Sequence, residues 1–167
     1  MSDTVQRASH TEMIGHAVGF AEAGKGQFLK TFGAVLVDKL NYTPSPSART
    51  PIQIGAHLVV MNNGLAGMIA GSDEPMPEMD EMMAMMAKAE AEIDTSEKVV
   101  AAIEESHTKL IAVINGLSAE RFGATIPSPF GEMAVAEMIF HLGTHYFSFA
   151  SQVDYVQTCY GDHEFHM

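Results

Sequence analysis

The sequence predicts an all-α protein, a four-helix bundle with a methionine-rich crossover between its second and third helices. Two observations support this prediction. Apolar residues recur at helical intervals in four long segments, and stretches rich in proline, glycine and serine separate these segments. No segment alternates with the two-residue period of a strand for long enough to indicate a sheet. Four helices around one core are therefore expected.

Length and charge limit the class of protein. The 167 residues suffice for one domain with a full core, so we expect a single domain over 1–167 with frayed tails at 1–8 and 161–167. A formal net charge of −12 argues against a nucleic-acid partner. The single cysteine, Cys159, favours a reducing compartment. We find no signal peptide and no run of the roughly 18 to 20 apolar residues that span a membrane, so we expect a cytoplasmic protein without a membrane partner.

The first helix is predicted from about Ser9 to Leu40, where apolar residues follow helical spacing. Several glycines lie within it, and each costs about 1 kcal/mol relative to alanine in a helix interior. The helicity of this segment is therefore expected to come from tertiary packing, and 24–26 is the place where a break could occur. A loop follows at 41–47, because its two prolines cannot continue a helix.

The second helix is predicted from Pro51 to about Ala70, because Thr50 is a favourable cap and Pro51 suits the first helical position. His57 is predicted to point into the core, since it shares a face with mostly apolar residues. That face contains Ile54, Val60, Met61, Gly64 and Met68.

The connection that follows is rich in methionine and acid. Its methionines are Met76, Met79, Met82, Met83, Met85 and Met86. Soft thioethers can bind Cu(I). Interspersed carboxylates and alanines at helical spacing instead favour a short helix in which methionine is a flexible filler. We prefer the filler interpretation and retain the copper-handling one as a rival.

The third helix is predicted to begin after a cap at 94–97 and to end near Leu117. His107 lies among charged residues on this helix, so it is expected to be a solvated surface histidine. A loop is predicted at 118–131, and the fourth helix from about Glu132 to Tyr160.

The fourth helix carries the strongest functional signal. His141 and His145 stand four residues apart, so they project from one face, one turn apart, as two ligands of a metal would. At roughly 100° per residue, a polar stripe continues this face. It contains Glu137, Ser148, Gln152, Tyr155 and Cys159. The rest of the helix is mostly apolar, which predicts that it is buried and that these polar groups need a partner or a ligand.

His57 adds a third imidazole from a different helix. Three imidazoles with open coordination positions form an arrangement used for catalytic zinc and for other transition metals. The competing interpretation is that His57 and His141 are ordinary core histidines, bonded to backbone or to Glu137. The spacing alone leaves both interpretations open.

Taken together, these motifs resemble those of the DinB-like superfamily of metal-dependent four-helix bundles. The resemblance extends over most of the chain, through 51–58, 117–122, 129–131, Glu137, His141, His145 and 152–155. It implies one ligand on the second helix and an H-x-x-x-H pair on the last. His57, His141 and His145 would then be the ligands, and Glu137 would orient an imidazole or be a fourth ligand. Ser148, Gln152 and Tyr155 would line the pocket.

The chain departs from the family pattern at Phe149. In many members a Gly-Gln pair closely follows the second histidine, which would place that ligand at position 149 here. Phenylalanine cannot bind a metal. Either the pair is His141 and His145, one turn earlier, or only His57 and His145 remain and the site is weakened. We prefer the first option, because it retains three nitrogens.

The resemblance also implies an activity. Related enzymes include S-transferases and isomerases that use a low-molecular-weight thiol such as bacillithiol or mycothiol. A zinc or nickel ion would hold the thiol as a nucleophilic thiolate, and a metal-bound hydroxide performing hydrolysis would use the same ligands. A small-molecule substrate and a homodimer are further expectations. The alternative is a non-catalytic metal-binding or stress-associated bundle, whose metal is structural or lost.

Overall fold

The structure, a computed structural model, describes residues 9–71, 77–128 and 131–166. Within these ranges the elements follow in the order α1 His10–Gly33, α2 Pro51–Ala70, α3 Met79–Ala91, α4 Ser96–Asn115, α5 Ala119–Phe122, β1 Thr125–Ser128, β2 Gly131–Ala134 and α6 Val135–Cys159. The long helices α1, α2, α4 and α6 surround one core, and α3 is the methionine-rich crossover. The predicted all-α four-helix bundle is confirmed.

The bundle is built from two close helix pairs, α1 with α6 and α2 with α4, and α2 also packs against α6. The largest fully buried side chains come from all four helices. They include Phe28, Ile54, Leu58, Ile103, Leu110, Ile139, Leu142 and Tyr146. The α1 and α6 backbones approach closely at two glycines, since a Cβ on Gly24 would lie 3.1 Å from the carbonyl oxygen of Gly143. This approach fixes the position of α6, which carries two of the candidate ligands.

Helix boundaries follow the capping residues. Thr50 forms a capping box with Gln53, and Gly71 ends α2 in the left-handed region at φ 89°, so the predicted bounds of α2 are confirmed. The first helix is shorter than predicted, because Leu36 is extended and a short 3-10 turn follows at Val37–Lys39. No break occurs at 24–26, since Gly24 is buried against α6 and packing offsets the poor helix propensity.

The predicted loop at 118–131 contains a short helix, α5, and the first strand of a hairpin. In the hairpin β1 pairs antiparallel with β2, with Thr125 opposite Ala134 and Ser128 opposite Gly131. The last helix therefore begins at Val135 rather than at Glu132, because residues 131–134 belong to β2. Residues 129 and 130 of the family motif lie outside the described residues.

The expectation that His107 is a surface histidine is wrong. Its side chain is 2% exposed, and its Nε2 lies 3.0 Å from the Glu22 carboxylate of α1. Its ring meets Tyr146 of α6 edge-on, with centroids 5.6 Å apart. Neighbours in sequence are charged, but the helix turns His107 inward while they face solvent. The residue therefore joins three helices in the core.

Two further expectations concern α2 and the C-terminal tail. By length and composition alone, α2 could cross a membrane, contrary to the expectation that no run qualifies, and half of the qualifying stretch is buried inside the bundle.

In the C-terminal tail, the His166 carbonyl oxygen accepts hydrogen bonds from Gln27 and Thr31, so this segment is held against α1. The other expected tail, 1–8, lies outside the described residues, as do 167 and Met76 of the crossover.

Candidate metal centre

The three predicted ligands come from two helices, and two of them contact the ring of Phe149. His57 lies on α2, and His141 and His145 lie one turn apart on α6 with ring centroids 6.1 Å apart. The Phe149 ring meets His57 and His145 edge-on, at centroid distances of 5.1 and 6.0 Å. Two of the predicted ligands therefore contact the residue that replaces a family histidine.

His57 has a carboxylate partner that the sequence did not reveal. Its Nδ1 lies 2.7 Å from Oε1 of Glu90, which is carried by α3. A guanidinium nitrogen of Arg49 lies 3.3 Å from the same Nδ1 and 3.9 Å from Oε1 of Glu90. One ring nitrogen cannot donate to Glu90 and accept from Arg49 at once, and the shorter contact with a carboxylate favours donation to Glu90.

This assignment has a consequence for the other ring nitrogen. If Nδ1 of His57 carries the proton, Nε2 has a free lone pair, which is the form that a metal requires. Carboxylates that accept the second N–H of a histidine commonly orient metal ligands in this way. In this structure Glu90 is the carboxylate that orients an imidazole, a contact that the resemblance implied for Glu137. His57 is not in the core as predicted: its side chain is 13% exposed, and its ring turns towards Glu90 of α3 and Phe149 of α6.

His145 has a buried nitrogen without a partner. Among the described residues, no hydrogen bond reaches its Nδ1. Burial lowers the pKa of His145, and the neighbouring imidazoles of His141 and His57 lower it further, so the ring is neutral near pH 7. A neutral imidazole with an unsatisfied buried nitrogen suits a metal ligand, so the donor chemistry of this cluster fits a transition metal.

The positions of the three histidine side chains suit metal binding less well than their chemistry does. Within 9–71, 77–128 and 131–166, no three His, Cys, Asp or Glu side chains stand close enough to hold a metal ion as they are placed. The Phe149 ring, in contact with both His57 and His145, is one physical reason. Binding through all three histidines therefore requires their side chains to turn towards one another.

The other predicted site residues lie on the outer side of α6. The side chains of Glu137, Ser148, Gln152 and Tyr155 are exposed, and Tyr155 reaches 66%. The expectation of a buried polar stripe is therefore wrong, because α6 buries the opposite face against α1 and α2. In the described part of the chain, no hydrogen bond joins Glu137 to any of the three imidazoles. The histidines sit at the border between the core and this solvent-facing surface.

Comparisons with known proteins agree with the fold. The profile of the DinB superfamily matches residues 21–148, a range that includes all three histidines. None of the curated proteins matches the chain significantly. A solved structure of a mycothiol-dependent maleylpyruvate isomerase superposes with a TM-score of 0.70 at 12% identity, over 88% of this chain and 63% of that chain. This chain thus spans less than two thirds of the isomerase's length.

A second solved structure covers the chain more completely. YfiT from Bacillus subtilis, described as a probable metal-dependent hydrolase with an unusual four-helix bundle topology, superposes with a TM-score of 0.69 at 12% identity. The match covers 96% of this chain and 94% of YfiT. At such identities, the similarity to either structure concerns the fold alone.

Proposed function

The chain belongs to the DinB superfamily, and on this premise we propose that it is a metal-dependent enzyme whose metal is bound by His57, His141 and His145. The observation that carries the proposal is the 2.7 Å hydrogen bond between His57 Nδ1 and Glu90. It fixes the ring and leaves Nε2 free to bind a cation. The unpartnered Nδ1 of His145 supports the same site.

Zinc or nickel suits this donor set, because borderline divalent metals accept imidazole nitrogens. When bound, such a metal would stabilise the thiolate of a low-molecular-weight thiol or the hydroxide of a bound water. The chain's own residues would orient the ligands and meet the substrate. Ser148, Gln152 and Tyr155 are exposed on the histidine-bearing side of α6, so a small molecule arriving from solvent would contact them.

Within this proposal, thiol transfer is the preferred reaction and hydrolysis is the main alternative. The isomerase with a similar fold is described as mycothiol-dependent, and YfiT as a probable hydrolase. Both reactions would start from the same histidines. Assays with bacillithiol, mycothiol and activated esters would separate them once metal loading has been established.

Phe149 favours a second candidate, a non-catalytic bundle whose metal is structural or lost. Its ring lies against both His57 and His145, where an additional donor would otherwise complete the site. In this alternative the fold persists without its chemistry. The cytoplasmic location and the homodimer are further proposals, and light scattering on the purified protein would test the dimer.

Metal content is the first experiment. Protein purified without an affinity tag would be examined by mass spectrometry, before and after incubation with Zn²⁺ or Ni²⁺ and gel filtration. We expect near-stoichiometric metal in the wild type and loss of it in His57→Ala and His145→Ala. His16→Ala, at an exposed position on α1, is the matched control. A wild type that takes up neither metal would favour the non-catalytic bundle.

A further inference from the structure

The hydrogen bond between His57 and Glu90 also fixes how α3 lies on α2. His57 is near the start of α2 and Glu90 is near the end of α3, so the two consecutive helices run antiparallel. At about 100° per residue, the face of α3 that carries Glu90 also carries four methionines. These are Met79, Met82, Met83 and Met86. On this face Met82, Met86 and Glu90 are half-buried, whereas Met79 and Met83 are exposed, so the stripe of Met82, Met86 and Glu90 is the part turned towards α2.

The facing side of α2 carries methionine as well. Met61 follows His57 by four residues, as Met86 precedes Glu90 by four. Because both helices rise about 1.5 Å per residue, these two methionines lie level with one another. Likewise, Met68 follows His57 by eleven residues and Met79 precedes Glu90 by eleven, so these two methionines also lie level with one another. We name the six residues of the two facing sides the methionine seam: Met61, Met68, Met79, Met82, Met83 and Met86.

The methionine seam lies at the surface: Met61, Met68, Met82 and Met86 are half-buried, and of these Met68 packs against the core. No residue of α3 is buried, and the side chains of Met79 and Met83 are 48% and 53% exposed. A Cβ added to Gly64, which lies level with Met83, would meet no atom within 4 Å, so the seam is open at its middle. A flexible filler stabilises by being buried. The filler interpretation of the crossover therefore does not explain Met79 and Met83.

We propose that the methionine seam binds a soft monovalent cation, Cu(I), through the thioether sulfurs of Met61, Met82 and Met86. Thioethers are soft ligands that select Cu(I) over zinc and over the hard cations. These three methionines are half-buried, unlike the more exposed Met79 and Met83. The net charge of −12 favours the approach of a cation. The proposed site uses sulfur alone, so it does not depend on the histidine cluster.

Silver(I) serves as an air-stable probe of this site. In protein labelled with ¹³C at the methionine methyl groups, Ag(I) is expected to shift the signals of Met61, Met82 and Met86. The signals of Met85, on the opposite face of α3, and of Met138, buried on α6, should stay in place. Absence of shifts in the seam methionines would overturn the proposal, as would equal shifts at Met85.

Competition for Cu(I) with bicinchoninate, under anaerobic and reducing conditions, measures the affinity. Leucine resembles methionine in volume but lacks sulfur, so the Met82→Leu/Met86→Leu double variant removes ligands with little change in packing. Since loss of a mere orienting group costs ten- to a hundredfold, loss of two ligands should weaken binding by about a hundredfold or more.

Control variants test whether a loss of Cu(I) affinity comes from the proposed methionine ligands. Met85→Leu should retain wild-type affinity for Cu(I). Unchanged Cu(I) affinity in the double variant, or an equal loss in Met85→Leu, would overturn the proposal. So would binding that is abolished by His57→Ala and retained by the double variant, because copper would then occupy the histidine cluster. Circular dichroism of the double variant, measured in parallel, checks that the protein is folded.

Discussion

Glu90 is the residue whose replacement tests the candidate site most directly. Glu90→Gln preserves the size of the side chain but removes the charge that orients His57. We expect zinc affinity to fall by about ten- to a hundredfold, the usual effect of losing a carboxylate that holds a metal-binding histidine. Isothermal titration would measure it. Glu81→Gln, at an exposed position on the same helix, is the control. Unchanged affinity in Glu90→Gln would remove Glu90 from the site.

Replacing Phe149 tests the candidate site by adding a ligand instead of weakening one. Phe149→His would place a further imidazole against both His57 and His145. We expect zinc binding to tighten by about tenfold or more, which corresponds to about 1.4 kcal/mol. Thr108→His, at an exposed position on α4 and away from the three histidines, should give no such gain. If Phe149→His binds no more tightly than the wild type, position 149 is not a ligand position in this chain.

The three histidines could be selected from the sequence because helical spacing is a local property. Glu90 could not, because it is 33 residues from His57 and their contact depends on how the crossover folds back. In the sequence, Glu90 is marked only by its position on the methionine-bearing face of α3. That position becomes informative once the antiparallel packing of α2 and α3 is known. The burial of His107 was missed because its charged neighbours were given more weight than its helical spacing from the buried Ile103 and Leu110.

Among the elements, those with strong end signals were predicted best. The cap at Thr50 and the glycine at 71 gave α2 its bounds. The hairpin was missed because each strand has only four residues, too few to establish a two-residue period. The possible break at 24–26 in α1 does not occur, because a glycine that lowers helix propensity also permits close packing, and spacing alone does not show which effect dominates.

The packing of α1 against α6 makes a prediction about glycine. A Cβ on Gly143 would collide with the Phe20 ring, so Gly143→Ala is expected to destabilise the protein by about 1 to 3 kcal/mol. Gly19 is exposed in α1 with no atom within 4 Å of an added Cβ, so Gly19→Ala should stabilise by about 0.5 to 1 kcal/mol. Urea unfolding would measure both variants. Equal effects would mean that helix propensity, not the contact with Phe20, sets the outcome.

For the whole molecule, the pair Glu22 and His107 connects α1 with α4 and links stability to pH. Burial alone would raise the pKa of Glu22, but the contact with His107 at 3.0 Å, together with Lys25, holds this pKa below its usual value. A depressed carboxyl pKa contributes stability that is complete above the unfolded value of 4.5 and is lost as pH falls through the lower folded value.

Glu22→Gln should therefore lower the free energy of unfolding at neutral pH and flatten its decline below about pH 4.5. Urea unfolding at a series of pH values would measure both effects. Glu92→Gln, at an exposed position on the crossover, should retain the wild-type slope. An equally steep acid decline in Glu22→Gln would show that other carboxylates govern it.

Metal binding should stabilise the whole bundle, because the candidate ligands and their orienting carboxylate come from α2, α6 and α3. A cation that binds only the folded state adds about 2.7 kcal/mol when its free concentration is a hundred times its dissociation constant. For a protein of this size, that corresponds to a rise of about 5 to 10 °C in melting temperature.

Thermal unfolding followed by circular dichroism, with zinc and then with excess chelator, would measure this rise and its reversal. His57→Ala and His145→Ala should abolish the zinc-dependent increase, whereas His16→Ala should preserve it. A rise that persists in both ligand variants would place the stabilising zinc elsewhere, and the C-terminal tail with His163 and His166 would be the next segment to test. Since His166 is already held near Asp162 at 3.0 Å, His166→Ala would separate the two sites.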